Sequence, residues 1–194
     1  MKTLLLASAI VCLVSLVTAQ EQKKDPPTMN PFFSKFDTPF ETPPFSQIKN
    51  EHFLPAFGEA MEKHRMEIDE VVNAREMPTF KNTVEAFERT GLALENVSSV
   101  FYGLQGANTN DEIQKIANEI APLLSAHRDD INLNPKLFSR IKVVYDQRAN
   151  LGLNAEQMKL LDDMYKNFVR GGANLSPEKK ERFRKINEEL SLLG

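Results

Sequence analysis

Cysteine is nearly missing from the 194-residue chain: Cys12 is the one example, inside an apolar stretch near the start. A disulfide framework is therefore excluded, and so is thiolate catalysis or metal binding in the remaining sequence. Charge of one sign is lacking as well. Lys and Arg number 24 against 27 Asp and Glu, a formal net charge of -3 with no long basic or acidic run. That balance argues against a general nucleic-acid binder, which carries a basic excess to neutralise phosphates. No stretch of five residues alternates apolar and polar in the strand manner with turn signals on both sides, so the expected class is all-α. Catalytic signatures are missing too. There is no GxSxG elbow, no GxxxxGK phosphate loop and no glycine-rich dinucleotide fingerprint. His52, His64 and His127 are the only histidines, and none has a second histidine or a carboxylate at the spacing by which a helix holds zinc.

What is present divides into three parts. In residues 1–19, Lys2 supplies a positive start, Leu4 to Val17 is apolar, and Val17-Thr18-Ala19 ends in small residues. This is the pattern of a secretory signal peptide cleaved after Ala19. The apolar run is shorter than the ~20 residues of a spanning helix, so no stable membrane anchor is expected. Cleavage removes Cys12, and loss of Lys2 takes the basic count from 24 to 23 against 27 acidic residues, a formal charge of -4. Export across the inner membrane to the periplasm is the expected location, with the extracellular medium as the alternative. Residues 20–49 hold Pro26, Pro27, Pro31, Pro39, Pro43 and Pro44, which oppose regular helix, among Phe32, Phe33, Phe36, Phe40 and Phe45, which are too apolar for a solvated linker. An extended arm packed on the domain is expected there. Residues 50–194, 41% hydrophobic over the whole chain, have enough apolar material for one ordinary core.

In that third part the apolar residues recur every three or four positions. A first helix is predicted from about Asn50 to Asn73, with Phe53, Phe57, Met61, His64 and Ile68 inward and Pro55 in its first turn. A second, from Thr83 to Gly106, carries Val84, Phe87, Gly91, Leu94, Val97, Phe101 and Leu104 on one face; Asn82 with Glu85 is its expected capping box, and Thr109 with Glu112 that of the next. Ile113, Ile116, Ile120, Leu123 and Leu124 make a third stripe, with a kink or break expected at Pro122. Asn134-Pro135 opens a fourth helix, Asn154 with Gln157 a fifth that Gly171 and Gly172 end, and Ser176-Pro177-Glu178 a sixth. The sixth keeps its apolar period, Phe183, Ile186, Leu190 and Leu193, to the last residues, which suggests a fragment of something longer. The expected fold is an all-α, multi-helix antiparallel array with a Pro/Phe-rich N-terminal arm.

Each chemical candidate has a plainer reading. His64 sits in an apolar stripe and reads as a core histidine. His127, beside Arg128, Asp129 and Asp130, reads as part of a solvated helix end. Asp129-Asp130, Asp162-Asp163 and Glu188-Glu189 read as solvated faces, because acid–base work needs carboxylates gathered in a cleft. Met158 and Met164 read as core. Gly103, Gly106 and Gly152 read as turns or points of close backbone approach. No residue of the chain is assigned a catalytic, cofactor-binding or metal-ligating role.

Longer patterns carry a resemblance. NPFF at Asn30 to Phe33, FDTPFETPPFSQIKNEHFLPAF at Phe36 to Phe57 and PTFKNTVEAFERTG at Pro78 to Gly91 are followed by SSVFYGL, TNDE, LNPKLFSRIKVVYDQR and NFVRGGANL. Over these segments the chain resembles the N-terminal part of the zinc metallopeptidase family that includes peptidyl-dipeptidase Dcp, oligopeptidase A and thimet oligopeptidase, with the Dcp branch most similar. The resemblance implies a peptidase that releases C-terminal dipeptides from short unfolded peptides, with this region forming part of the substrate-channel wall. It implies Zn2+ in the full-length enzyme, held by an HExxH helix and a later glutamate. HExxH is not in this sequence, so the chain alone is expected to bind no zinc and to be inactive, its catalytic region lying C-terminal to it. The alternative is a non-catalytic helical peptide-binding or interaction module. Intact-mass and N-terminal analysis of the exported protein is expected to find Gln20 first; retention of residues 1–19 would point instead to a tethered protein.

Overall fold

The computed structural model describes residues 29–193; the expected signal peptide and Cys12 lie outside them. Among the described residues there is no strand, and six long helices carry the chain. The first, α1 (Phe53–Val72), follows a 3-10 turn at Asn50–His52 and has Pro55 in its first turn, where a missing N–H costs little. It buries Phe53, Phe57, Met61, Ile68 and Val71.

The second predicted helix is broken. Phe80–Glu85 is a π turn followed by a short α turn, Ala86–Glu88, and α2 begins only at Leu92 (Leu92–Ala107). Gly91 makes the break, with φ of 78°, in the left-handed region that glycine enters without steric cost. Its backbone N–H donates to Glu67 Oε2 at 2.7 Å, and a Cβ at this position would lie 2.8 Å from His64 Cε1. The apolar face predicted for one continuous helix is thereby shared between two cores. Val84 packs in a cluster with Ile68, Val71, Leu137, Ile141, Leu161 and Phe168. Val97, Val100 and Phe101 pack with Phe53, Phe57, Ile113 and Ile120. The caps are also shifted. Thr79, not Asn82, caps the first turn: its Oγ1 accepts from Asn82 N while Asn82 Oδ1 accepts from Thr79 N. Arg140 secures the preceding loop by donating to the Ala74 carbonyl at 2.9 Å.

Helix α3 (Asp111–Asn132) is capped by Asn110, whose Oδ1 accepts from Ile113 N, one residue later than expected. It runs unbroken through Pro122. The N–H that proline lacks would have met the carbonyl of Asn118, an exposed residue whose oxygen solvent can satisfy. Helices α4 (Pro135–Asp146), α5 (Ala155–Arg170) and α6 (Pro177–Ser191) start at Asn134, Asn154 and Ser176, as the sequence predicts. Helix α1 packs antiparallel to α2, and α4 to α5. Phe53 meets Phe101 at 5.0 Å between ring centroids while Gly91 meets Glu67 and His64, and Tyr145 stacks on Tyr165 at 3.8 Å while Phe138 faces Phe168. Helices α1 and α3 therefore run the same way through both cores, joined at Asn50–Glu112 near one end and at His64–His127 further along.

Two elements are held differently. The stretch before α1 is attached by Asn30, whose Nδ2 donates to the His52 carbonyl at 2.8 Å, and by Phe32, 5.5 Å from the Phe53 ring centroid. Phe33, Phe40 and Phe45 stay exposed, and Phe40 and Glu41 take positive φ of 59° and 55°. Helix α6 contributes no fully buried residue. Polar bonds tie it to α3: Asn187 Nδ2 to Asp129 Oδ1 at 2.7 Å, Arg184 to Asp130 at 2.7 Å, and Lys180 Nζ to the Leu133 carbonyl at 3.1 Å.

Gly103 and Gly106, inside α2, have open space where a Cβ would stand. Replacing either with Ala is expected to raise stability by about 0.5–1 kcal/mol, whereas Gly91→Ala is expected to lower it by roughly 2 kcal/mol or more through strain and the contact with His64. Urea unfolding of the variants checks the opposite signs. Asn187→Ala leaves buried Asp129 without its donor; amide exchange is expected to accelerate along α6 while α1 and α2 keep their protection.

Candidate functional site

Helix α1 presents Ala56 and Ala60, and α2 presents Val97 and Val100, as the floor of a groove of about 530 Å³ roofed by Phe32 and Phe36. Lys35, Glu41, Glu59 and Lys63 stand at its rim; Lys35 pairs with Glu41 at 2.6 Å, while Glu59 and Lys63 have no ion pair among the described residues.

A second groove, of about 500 Å³, lies between Tyr102 on α2, Leu124 and Arg128 on α3, and Phe183 and Leu190 on α6. Asp129 forms part of its lining, only 4% exposed. Burial raises the Asp129 carboxyl above the usual carboxylate range, opposed by the Asn187 hydrogen bond and by Arg184 and Arg128. Burial also pushes the Tyr102 hydroxyl up, against the pull of Arg128. A groove that mixes apolar side chains with charged and amide groups suits a segment of polypeptide, which brings both apolar side chains and a polar backbone.

The sequence candidates fall as follows. His52 is buried, and its Nδ1 accepts from Lys49 N at 3.1 Å while its carbonyl holds the arm through Asn30. His64 is half-buried, and its Nε2 lies 3.2 Å from Thr90 Oγ1. His127 is not solvated: it is 4% exposed and lies 3.0 Å from His64. Its spacing carried that signal, since 113, 116, 120, 124, 127 and 131 step by three and four along the buried stripe of α3, and the charged neighbours Arg128 to Asp130 masked it. Asp129 is likewise buried, by α6, a contact 58 residues away that no local pattern reveals. Met164 is in the core. Gly152 turns the chain with φ of 63°, whereas neither Gly103 nor Gly106 approaches another backbone.

Among the described residues, no three His, Cys, Asp or Glu side chains come together in a way that could hold a metal ion. The residues present therefore do not fit a resident zinc ion, and no chemical step is assigned to one here. No helix among them is long and apolar enough to cross a membrane.

No family model matches the chain. Curated relatives do. A dipeptidyl carboxypeptidase of Salmonella typhimurium is 39% identical over 164 residues, 84% of this chain and 24% of that protein. A dipeptidyl carboxypeptidase of Escherichia coli is 38% identical over 166 residues, 86% of this chain and 24% of that one. Oligopeptidase A of Escherichia coli is 29% identical over 157 residues, 81% of this chain and 23% of the relative. The chain thus spans about a quarter of the length of these relatives, matching their N-terminal part. The chain is homologous, over their N-terminal part, to proteins named dipeptidyl carboxypeptidase and, at lower identity, to oligopeptidase A.

Proposed function

We propose that the chain is the N-terminal helical part of an exported zinc metallopeptidase that releases C-terminal dipeptides from short peptides. In this reading it contributes wall to the substrate channel, and the metal site belongs to polypeptide C-terminal to it. The observation that carries the reading is the match to two dipeptidyl carboxypeptidases at 38% and 39% identity over more than four-fifths of this chain but only 24% of each relative. Two features of the fold support a wall. The grooves mix apolar and polar lining, as a surface that a peptide passes does, and Ile186 and Leu190 on α6 and Leu193 just after it are exposed at 43%, 59% and 82%. Apolar side chains in that row are ordinarily covered by further protein. In this assembly zinc would supply the polarised water that attacks the peptide bond, and this chain would guide and confine the peptide.

A second reading is favoured by the same grooves: a helical module that binds peptides without cutting them. The two are separated by expressing the chain alone and with whatever follows it in its reading frame. The longer product is expected to release dipeptides from the C-terminus of a short peptide, to lose that activity to a chelator and to regain it with zinc. The 194-residue chain alone is expected to have none. A reading frame without an HExxH motif would overturn the peptidase reading, and metal-independent peptide binding by the chain alone would favour the module.

A further inference from the structure

His64 on α1 and His127 on α3 are 63 residues apart in sequence, yet Nδ1 of the first and Nε2 of the second are 3.0 Å apart, with ring centroids at 5.0 Å. The neighbouring threonine fixes where their hydrogens are. The Thr90 hydroxyl donates to the Phe87 carbonyl at 2.7 Å, so toward His64 it is the acceptor, and the His64 Nε2–H donates to it over 3.2 Å. A neutral imidazole has one N–H. Nδ1 of His64 is therefore a bare lone pair, and it accepts from the His127 Nε2–H. That leaves Nδ1 of His127 without a hydrogen; it is buried and meets no hydrogen-bond partner.

We propose that this imidazole pair is a proton-operated latch: neutral, it ties α1 to α3 beside the Gly91 turn, and on taking up a proton it releases that seam.

The reason is that an added proton has no satisfied position. Placed on His127 Nδ1, it makes a cation inside the protein with an N–H that has no acceptor. Placed on His64 Nδ1, it forces His127 to accept through Nε2 and to move its own hydrogen to Nδ1, the same orphaned site. Both routes impose the full penalty of a buried, unpaired donor together with a buried charge. The ring relieves it only by turning out toward water, which breaks the bond to His64. The His64 ring has little room to follow, since even a Cβ at Gly91 would lie 2.8 Å from its Cε1, so loss of the bond loosens α1 from α3.

The surrounding charges do not supply a counter-ion. From α1, Arg65 opposes protonation of His127, and Glu67 favours that of His64 but is engaged by the Gly91 N–H at 2.7 Å. From α3, Asp130 favours protonation but is paired with Arg184 of α6 at 2.7 Å. Thr90 and Gly91 of the turn bring no charge. Burial, then His64, then Arg65 hold His127 down at about 4 against an ordinary value of 6.5, and burial lowers His64. The folded form thus resists a proton that the unfolded chain accepts. The pair's contribution to stability is complete above pH 6.5 and is lost as the pH falls from 6.5 toward 4.

The test uses the purified 194-residue chain and His127→Gln, whose amide stays neutral throughout. Nitrogen-15 spectra of the wild-type imidazoles are expected to show Nε2–H tautomers for both rings at pH 7.5, with His127 uncharged until the pH approaches 4. Amide exchange, corrected for intrinsic rate, is expected to rise in α1 and α3 around positions 64 and 127 between pH 6.5 and 4. The drop in Tm across that range is expected to be smaller by about 5 °C in His127→Gln. Titration of His127 near pH 6.5 without local loosening, or an equal drop in both proteins, would overturn the latch. If His127→Gln does not fold, His64→Gln removes the same bond from the other side, and the wild-type spectra decide by themselves.

Discussion

The close seat of Gly91 on the His64 ring is the constraint on which the helical array depends. A long helix in place of the break would carry Val84 and Phe101 along one straight line, and only one of them could reach a core on the same side of α1. Because Gly91 turns at positive φ, the chain before it enters the core of α4 and α5, while the chain after it lies along the first half of α1. A side chain at this position would meet His64 Cε1 at 2.8 Å. The carboxylate of Glu67 then takes the N–H that the turn frees, so that buried donor is not left unpaired.

Helices α1 and α3 are the members common to both cores. Each runs from Phe53 or Ile113 in one cluster to Val71 or Ile131 in the other, and each places a histidine where the clusters meet. A polar pair at that junction is neither core nor surface. It keeps two apolar clusters in register, and its proton count bears on both at once. Helix α6 stands outside this arrangement, attached by Asn187, Arg184 and Lys180 with its apolar row turned to solvent. An element held by charge and amide bonds over an open groove is suited to a surface that meets more polypeptide.

Much of this was legible in the residues. Asn134-Pro135, Asn154 with Gln157 and Ser176-Pro177 mark helix starts by local chemistry alone, and they stand where local chemistry puts them. The break at Gly91 was not, because a glycine in a helical stripe reads as a tolerated interruption until its neighbour across the fold, His64, is known. Pro122 is the converse: a local breaker overridden because the carbonyl it strands belongs to an exposed residue. His127 and Asp129 depart from their sequence reading for one reason. A cluster of charged letters looks solvated, and only the packing of α1 and α6 over that end of α3 shows otherwise. The grooves are wholly tertiary.

If the Gly91–His64 junction makes the two clusters one cooperative unit, they unfold together. Fluorine labels on Phe101 and Phe168 report one cluster each. In a urea titration at pH 7.5 the two resonances should lose their folded signals at one shared midpoint. Separate midpoints, with one cluster melting while the other persists, would contradict the account.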